Sequence, residues 1–346
     1  GSLDTTYGTN GEYLFGLSNN LHEEPRGLAI DGNDNLYIAI HNDDDTEAYV
    51  QKLKPNAQPD DSFGTSGKFT YSPSHYKHIR DIAVDAQGNV YITGLSYNGI
   101  SSTTANDAFV AKVTPTGVLD GSFGTGGTVM ASHEDLEYAS KIALDSNGNI
   151  IVAGGTSSGG GQQFKASVWK FDSNGNGDID FGTNGRVDYL SPHLNADVYG
   201  MAVDGSNNIY ISGLATNNSS QDDLLLVKFD QDGMFVNTFG NNGVVTYNDS
   251  TAPYDFYYET SVVLGSDGMV YVGGGINDDT FIASFDQNGA SNTQFGNAGI
   301  KTFDLKEENE TDWIADLLLD SSSNALYATG VTRKNADSSA FLMKVN

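Results

Sequence analysis

The stretch LDGSFGTGGTV, residues 119–129, decides the fold. Alone, it reads as a glycine-rich loop of the kind that cradles phosphates. A phosphate loop occurs once, between a strand and a helix. This stretch does not stand alone: the chain shows YGTNG at Tyr7, FGTSG at Phe63, FGTGG at Phe123, FGTNG at Phe181, FGNNG at Phe239 and FGNAG at Phe295. Successive starts lie 56, 60, 58, 58 and 56 residues apart. A second motif keeps the same interval: GLAIDGNDNLYIA, DIAVDAQGNVYITG, KIALDSNGNIIVAGG, GMAVDGSNNIYISG, SVVLGSDGMVYVGGG and ADLLLDSSSNALYATG. Six copies of one unit account for the chain, and the glycines serve turns.

Each unit carries four short apolar runs. In the second they are IRDIAVD (residues 79–85), NVYITGL (89–95), AFVAKVT (108–114) and TVMAS (128–132). All alternate with period two and are rich in β-branched or aromatic residues, and no segment sustains a helical period. DAQGN between the first two runs is a hairpin turn, with Gly88 taking the positive φ. Four hairpin-linked strands in about 58 residues, repeated six times, predict an all-β fold. The expected architecture is a six-bladed β-propeller of four-stranded antiparallel blades. A parallel β-helix has coils too short for four such strands.

The pattern LDxxFGxxGxV, then hAhDxxGNhhhxG, then an apolar strand ending in FDxxG, resembles the bacterial delta-60 repeat, akin in style to NHL-like and SBBP-like propeller repeats. The resemblance covers nearly the whole chain, with drift in the fifth unit at Gly265 and in the sixth at residues 321–324. It implies a propeller and export, and hands over no catalytic residues.

Composition narrows the partners. Forty-five acidic residues against 17 basic ones give a formal charge of −28, a field that repels nucleic acids and anionic membranes and attracts cations such as Ca²⁺. With no cysteine, disulfides and thiol chemistry are excluded. No apolar run is long enough to span a bilayer. The acidic, lysine-poor, cysteine-free composition leans toward an extracellular, cell-surface or periplasmic setting. Gly1-Ser2 reads as an expression remnant, leaving residues 3–346 as one six-bladed domain, expected to be a monomer or one part of a larger chain.

The repetitive turns belong to one face, and the variable loops before the first strand and after the second belong to the other. Loops on a rigid scaffold are where function concentrates. All six histidines fall there: His22, His75, His78, His133 and His193 before first strands, and His41 at the start of a loop. Seven residues before each first-strand turn residue stand Glu24, His78, Tyr138, Asp197, Tyr258 and Trp313. Five before stand Arg26, Arg80, Ser140, Tyr199, Thr260 and Ala315. Stacking faces beside carboxylates and arginines are what sugar rings or peptide groups need. Glu24, Arg26, His78, Arg80, Tyr138, Asp197, Tyr199, Tyr258 and Trp313 are therefore the candidate ligand-binding residues, against the plainer alternative of a structural plug.

Three further features carry expectations. YNDSTAPYDFYYET (residues 247–260) is the longest insertion and the most aromatic stretch, fit for packing or recognition. Asp43, Asp44 and Asp45 form an acidic run. DSNGNGDID sets Asp172, Asn174, Asn176 and Asp180 at alternate ligand positions of a calcium loop, with Thr183 where the bidentate Glu would stand. Ca²⁺ is thus the one cofactor that the sequence suggests.

No catalytic set is readable: there is no GxSxG elbow, no cysteine nucleophile and no paired-carboxylate signature. The first reading is a non-enzymatic recognition module that binds a glycan or protein. The second is a propeller polysaccharide lyase or glycan hydrolase using His78, Arg80 and Tyr138. The third is a structural spacer of a larger adhesin. Phase also predicts closure, because the chain ends on a third strand and begins with an orphan fourth strand, GEYLFGL (residues 11–17). That strand is expected to complete the last blade and leave no open sheet edge. Deleting residues 1–17 is expected to lower the melting temperature sharply in calorimetry, and an unchanged melt rejects this phase.

Overall fold

The structure is a computed structural model that describes residues 5–9, 12–14, 23–42, 48–71, 77–97, 106–131, 136–158, 163–192, 195–217, 219, 221–247, 256–305, 311–320, 322–334 and 337–345. The first repeat forms a sheet of β1 (Glu23–Ile30), β2 (Leu36–Asn42), β3 (Ala48–Leu53) and β4 (Lys68–Tyr71), in that order. The second contains β5 (Lys77–Val84), β6 (Val90–Tyr97), β7 (Asn106–Val113) and β8 (Thr128–Ala131), each antiparallel to the next. The third contains β9 (Leu136–Leu144), β10 (Ile150–Ser158), β11 (Gln163–Phe171) and β12 (Arg186–Tyr189). In the fourth, β13 (Ala196–Val203), β14 (Ile209–Thr216), β15 (Asp222–Phe229) and β16 (Val244–Tyr247) repeat the four-stranded order. So do β17 (Phe256–Leu264), β18 (Val270–Ile276), β19 (Asp279–Phe285) and β20 (Ile300–Phe303) in the fifth. The sixth shows three strands, β21 (Thr311–Asp320), β22 (Ala325–Lys334) and β23 (Asp337–Val345).

The described residues contain no helix, and the repeated four-stranded antiparallel sheets make a β-propeller-like all-β fold. Two compact units divide the chain, and their boundary falls within the third repeat. The first comprises residues 1–152, 156–162 and 169–178, and the second 153–155, 163–168 and 179–346.

The two motifs act locally in different ways. The aspartate of the first hairpin ties its own turn: Asp31 Oδ1 accepts the N–H groups of Asn33 (2.9 Å) and Asn35 (3.0 Å), and Oδ2 accepts Asn35 Nδ2 (2.8 Å) and the Tyr37 hydroxyl (3.2 Å). Asp85, Asp145 and Asp204 tie their turns the same way. The phenylalanine of the second motif is core. Phe63 is buried edge-on to Tyr37, with centroids 5.8 Å apart. Lys52 Nζ lies 5.2 Å from the Tyr37 ring centre and 6.0 Å from that of Phe63, and 2.9 Å from Asp60 Oδ2. Tyr91, Phe123, Lys112 and Asp120 rebuild this arrangement in the second repeat. An aromatic cage that holds a lysine stem while its ammonium meets a carboxylate uses both halves of the side chain.

The first glycine of the motif joins one repeat to the next. Gly64 N–H donates to Thr116 C=O (2.9 Å), Gly124 to Asn174 (2.8 Å), Gly182 to Asp232 (2.8 Å) and Gly240 to Asn288 (2.7 Å). Each acceptor lies in the turn that follows the third strand of the next repeat. Gly64 has φ +58°, and a Cβ there would strike the Lys68 carbonyl, so only glycine fits. Near the N-terminus, Gly8 N–H reaches Asn56 C=O at 3.3 Å, and Tyr13 packs against Ile38, Ile40, Tyr49 and Leu53. The segment before the first repeat thus docks as the fourth-strand segments of the first four repeats do. Of the expected strand GEYLFGL, only residues 12–14 are among those described.

The lysine cages make the fold acid-sensitive. Burial raises the Asp60 carboxyl, but bonds from Lys52 and Ser62 outweigh it and hold the group at about 2. Asp31, Asp120 and Asp172 are also lowered. A carboxylate depressed by folding adds stability that is complete above its unfolded value and is lost as pH falls toward its folded value. Melting temperature is expected to drop between about pH 4 and pH 2. Asp60→Asn should flatten that limb in a melting series across the range.

Candidate functional site

The first strand is irregular at one recurring place in four of the repeats. Its pairing shifts between Pro25 and Gly27, Ile79 and Asp81, Val198 and Gly200, and Ile314 and Asp316. The bulged residues are therefore Arg26, Arg80, Tyr199 and Ala315, the positions five before the turn residue. A bulge re-aims side chains and is common beside binding sites. It also explains a glycine in the second strand. The bulge drives the carbonyls of His78, Asp197 and Trp313 onto Gly94, Gly213 and Gly330, and a Cβ at any of the three would collide with that oxygen.

The first strands run further than the sequence reading had them. Strand β5 begins at Lys77, so His78 lies within a strand and not in the preceding loop. Glu24, Tyr138, Asp197 and Trp313 are likewise strand residues, because pairing resumes beyond the bulge: Glu24 faces His41, His78 faces Leu95, Asp197 faces Leu214 and Trp313 faces Val331. His41, expected at the start of a loop, is in β2 and buried.

Within the first unit these residues meet. Glu24 Oε2 holds the Arg26 guanidinium and lies 3.2 Å from His41 Nε2, and Arg26 Nη2 lies 3.5 Å from the same nitrogen. The His41 ring stands edge-on to His78, with centroids 5.1 Å apart at 70°. Arg80, one position past the paired Ile79, lies over the Tyr138 ring at 5.3 Å. Carboxylate, two imidazoles, two guanidiniums and a phenol thus form a line across three repeats. The line can accept and donate hydrogen bonds, offer an aromatic face and hold an imidazole on a carboxylate. Reading along the chain missed His41, and the signal that finds it is the cross-strand register opposite Glu24.

Within the second unit, Asp197, Tyr199 and Trp313 are half-buried on their strands. Tyr258 belongs to β17, and its side chain lies outside the described residues. His22, His75, His133, His193, Asp43, Asp44, Asp45 and Tyr254 also lie outside them.

The calcium-like loop has a local explanation. Asp172 Oδ1 accepts the N–H groups of Asn174 (2.8 Å) and Asn176 (2.9 Å), and Oδ2 accepts Asn176 Nδ2 (2.9 Å). The same turn recurs at Asp230 and Asp286. Asp180 is exposed. Among the described residues, no three His, Cys, Asp or Glu side chains are grouped to hold a metal ion, and no helix is long and apolar enough to cross a membrane.

No family model matches the sequence, and no curated protein matches it. Solved structures do share the fold. A family PL25 polysaccharide lyase, an ulvan lyase bound to -[GlcA(1-4)Rha3S]-, is 11% identical, with a TM-score of 0.51 over 91% of this chain and 78% of its own. The Penicillium chrysogenum α-L-arabinanase complexed with arabinobiose is 11% identical, with a TM-score of 0.52 over 93% and 92%. A puromycin-hydrolysing peptidase of Mycobacterium tuberculosis is 11% identical, with a TM-score of 0.51 over 94% of this chain and 43% of its own. At such identities the likeness is one of fold alone.

Proposed function

We propose that the chain is a carbohydrate-recognition module, exported or displayed at a cell surface. Its ligand lies along Glu24, Arg26, His41, His78, Arg80 and Tyr138. The observation that carries this reading is Arg80 over the Tyr138 ring, in line with the His41–His78 edge contact. A pyranose needs an apolar face to stack on and charged groups to bond its hydroxyls, and this line supplies both. Two of the chain's four arginines stand here, so acidic sugars are favoured in a protein that otherwise repels anions. The ulvan lyase and the arabinanase, which share the fold, carry saccharides in their structures, and this agrees with the reading.

A second reading puts catalysis on the same residues. It is favoured by the His41 imidazole held 3.2 Å from Glu24 and edge-on to His78, an orientation suited to proton transfer. Glycan arrays and calorimetric titration with uronic-acid oligosaccharides separate the two. Recognition predicts binding without product, weakened at least about tenfold by Arg80→Ala. Catalysis predicts unsaturated or shortened products that vanish in His78→Ala while binding persists. Absence of both rejects the site.

We also propose that six blades close into one ring. Equivalent positions support it. Leu28 is 64% exposed, whereas Ile82, Ile142, Val262 and Leu317 are 4–6% exposed. Leu342 is 73% exposed, whereas Val50, Val110, Val168, Leu226 and Ile282 are 0–2% exposed. The first repeat thus bares the face that later repeats turn to a predecessor, and the sixth bares the face that earlier ones turn to a successor. Mutual cover of the two buries both. Leu28→Asp is then expected to cost as much stability as a core substitution, about 2–4 kcal/mol, and a loss under about 0.5 kcal/mol in denaturant unfolding rejects closure.

A further inference from the structure

The joints between repeats are filled differently. At the first joint the last residue of the fourth strand, Tyr71, stacks on Phe109 of the next repeat, with centroids 5.6 Å apart at 25°. Its hydroxyl lies 3.1 Å from Thr128 Oγ1. At the joint between the fourth and fifth repeats, the equivalent Tyr247 packs into the core that contains Phe281. Between the third and fourth repeats the tyrosine is kept as Tyr189, but both partners change. Leu225 stands where Phe109 and Phe281 stand, and Val244 stands where Thr128 stands. A cavity of about 310 Å³ lies there, lined by Tyr189, Val244, Asp223, Thr216, Thr246 and Asn241 among others.

We propose that this cavity is a second ligand site, distinct from the line on the first three repeats, and that it takes one neutral pyranose ring. The volume suits a single sugar unit and not a polymer. Tyr189 lines the cavity and supplies an aromatic side chain on which a pyranose can stack. Polar groups share the lining. Asp223 Oδ1 is oriented by Asn217 Nδ2 at 2.7 Å, and Thr216 Oγ1 by Asp222 at 2.9 Å. Strand pairing fixes the wall, since Ala215 faces Asp223 and Leu225 faces Thr246. A carboxylate accepts sugar hydroxyls and, with Asp222 adjacent, repels anionic groups, which selects neutral sugars. Burial, and then the Asp223 carboxylate, raise the Tyr189 phenol, in keeping with a hydroxyl that stays protonated beside that acid.

The test is an amide-resolved NMR titration of the full chain with methyl β-D-glucopyranoside, methyl β-D-galactopyranoside and methyl α-D-mannopyranoside, and with glucuronic acid as the charged control. At least one neutral glycoside is expected to shift the Thr216 and Asn241 amides saturably, with Kd in the millimolar range. Thr246→Trp, which sets a bulky ring in the cavity from an exposed lining position, should weaken that response at least about tenfold. Tyr189→Ala is the second variant, and Arg80→Ala should leave the response unchanged. No saturable shift with any neutral glycoside overturns the proposal. So does a response that survives Thr246→Trp, or tighter binding of glucuronic acid at these amides. Loss on Arg80→Ala would assign the response to the other site and overturn it equally.

Discussion

Each of the first four repeats is coupled to the next by a backbone hydrogen bond, from the first glycine of the FGxxG motif to a carbonyl in the following repeat's turn. The bond demands a residue with positive φ, no Cβ and a free N–H, and only glycine supplies all three. The neighbouring phenylalanine is buried under a tyrosine of its own repeat, so the loop cannot shift without opening that core. A local turn and an inter-repeat contact are therefore one device. A chain built this way is stabilised largely by nearest neighbours, and its terminal faces are left to find cover.

The same economy shapes the candidate site. The first strand must bulge to aim Arg26 or Arg80 outward, and the bulge throws a carbonyl against the second strand. The glycine that ends NVYITG and its equivalents accepts that intrusion. Scaffold glycines thus serve the site indirectly, and the residues that differ between repeats at the bulge are the ones free to diversify. The first repeat departs from this rule, with Ile40 in place of the glycine and His41 buried beyond it, opposite Glu24.

The joints show how a repeat protein varies its contacts without inserting a loop. Changing Phe to Leu and Thr to Val at one joint keeps the strands in register and removes the aromatic partner and hydroxyl contact that tyrosine has at the first joint. The cost is local, because each joint touches only its neighbours. The charge distribution adds contrast. Arginines line the candidate site of the first unit, while aspartates rim the cavity of the second.

Much of the fold was legible in the chain itself. Phe63, Phe123, Phe181 and Phe239 recur at nearly constant intervals, and period-two alternation between the turns left antiparallel four-stranded sheets as the sustained solution. The positions of Glu24, His78, Arg80 and Tyr138 were also legible, because alignment on the turn aspartate needs no coordinates. The partnership of His41 with Glu24 and His78 was not, since it depends on cross-strand register and on a bulge whose only trace is a glycine one strand away. Nor was the cavity beside Tyr189. Its lining comes from separate strands of two repeats, Tyr189 with Thr216, Asp223 and Thr246, and only packing brings them together.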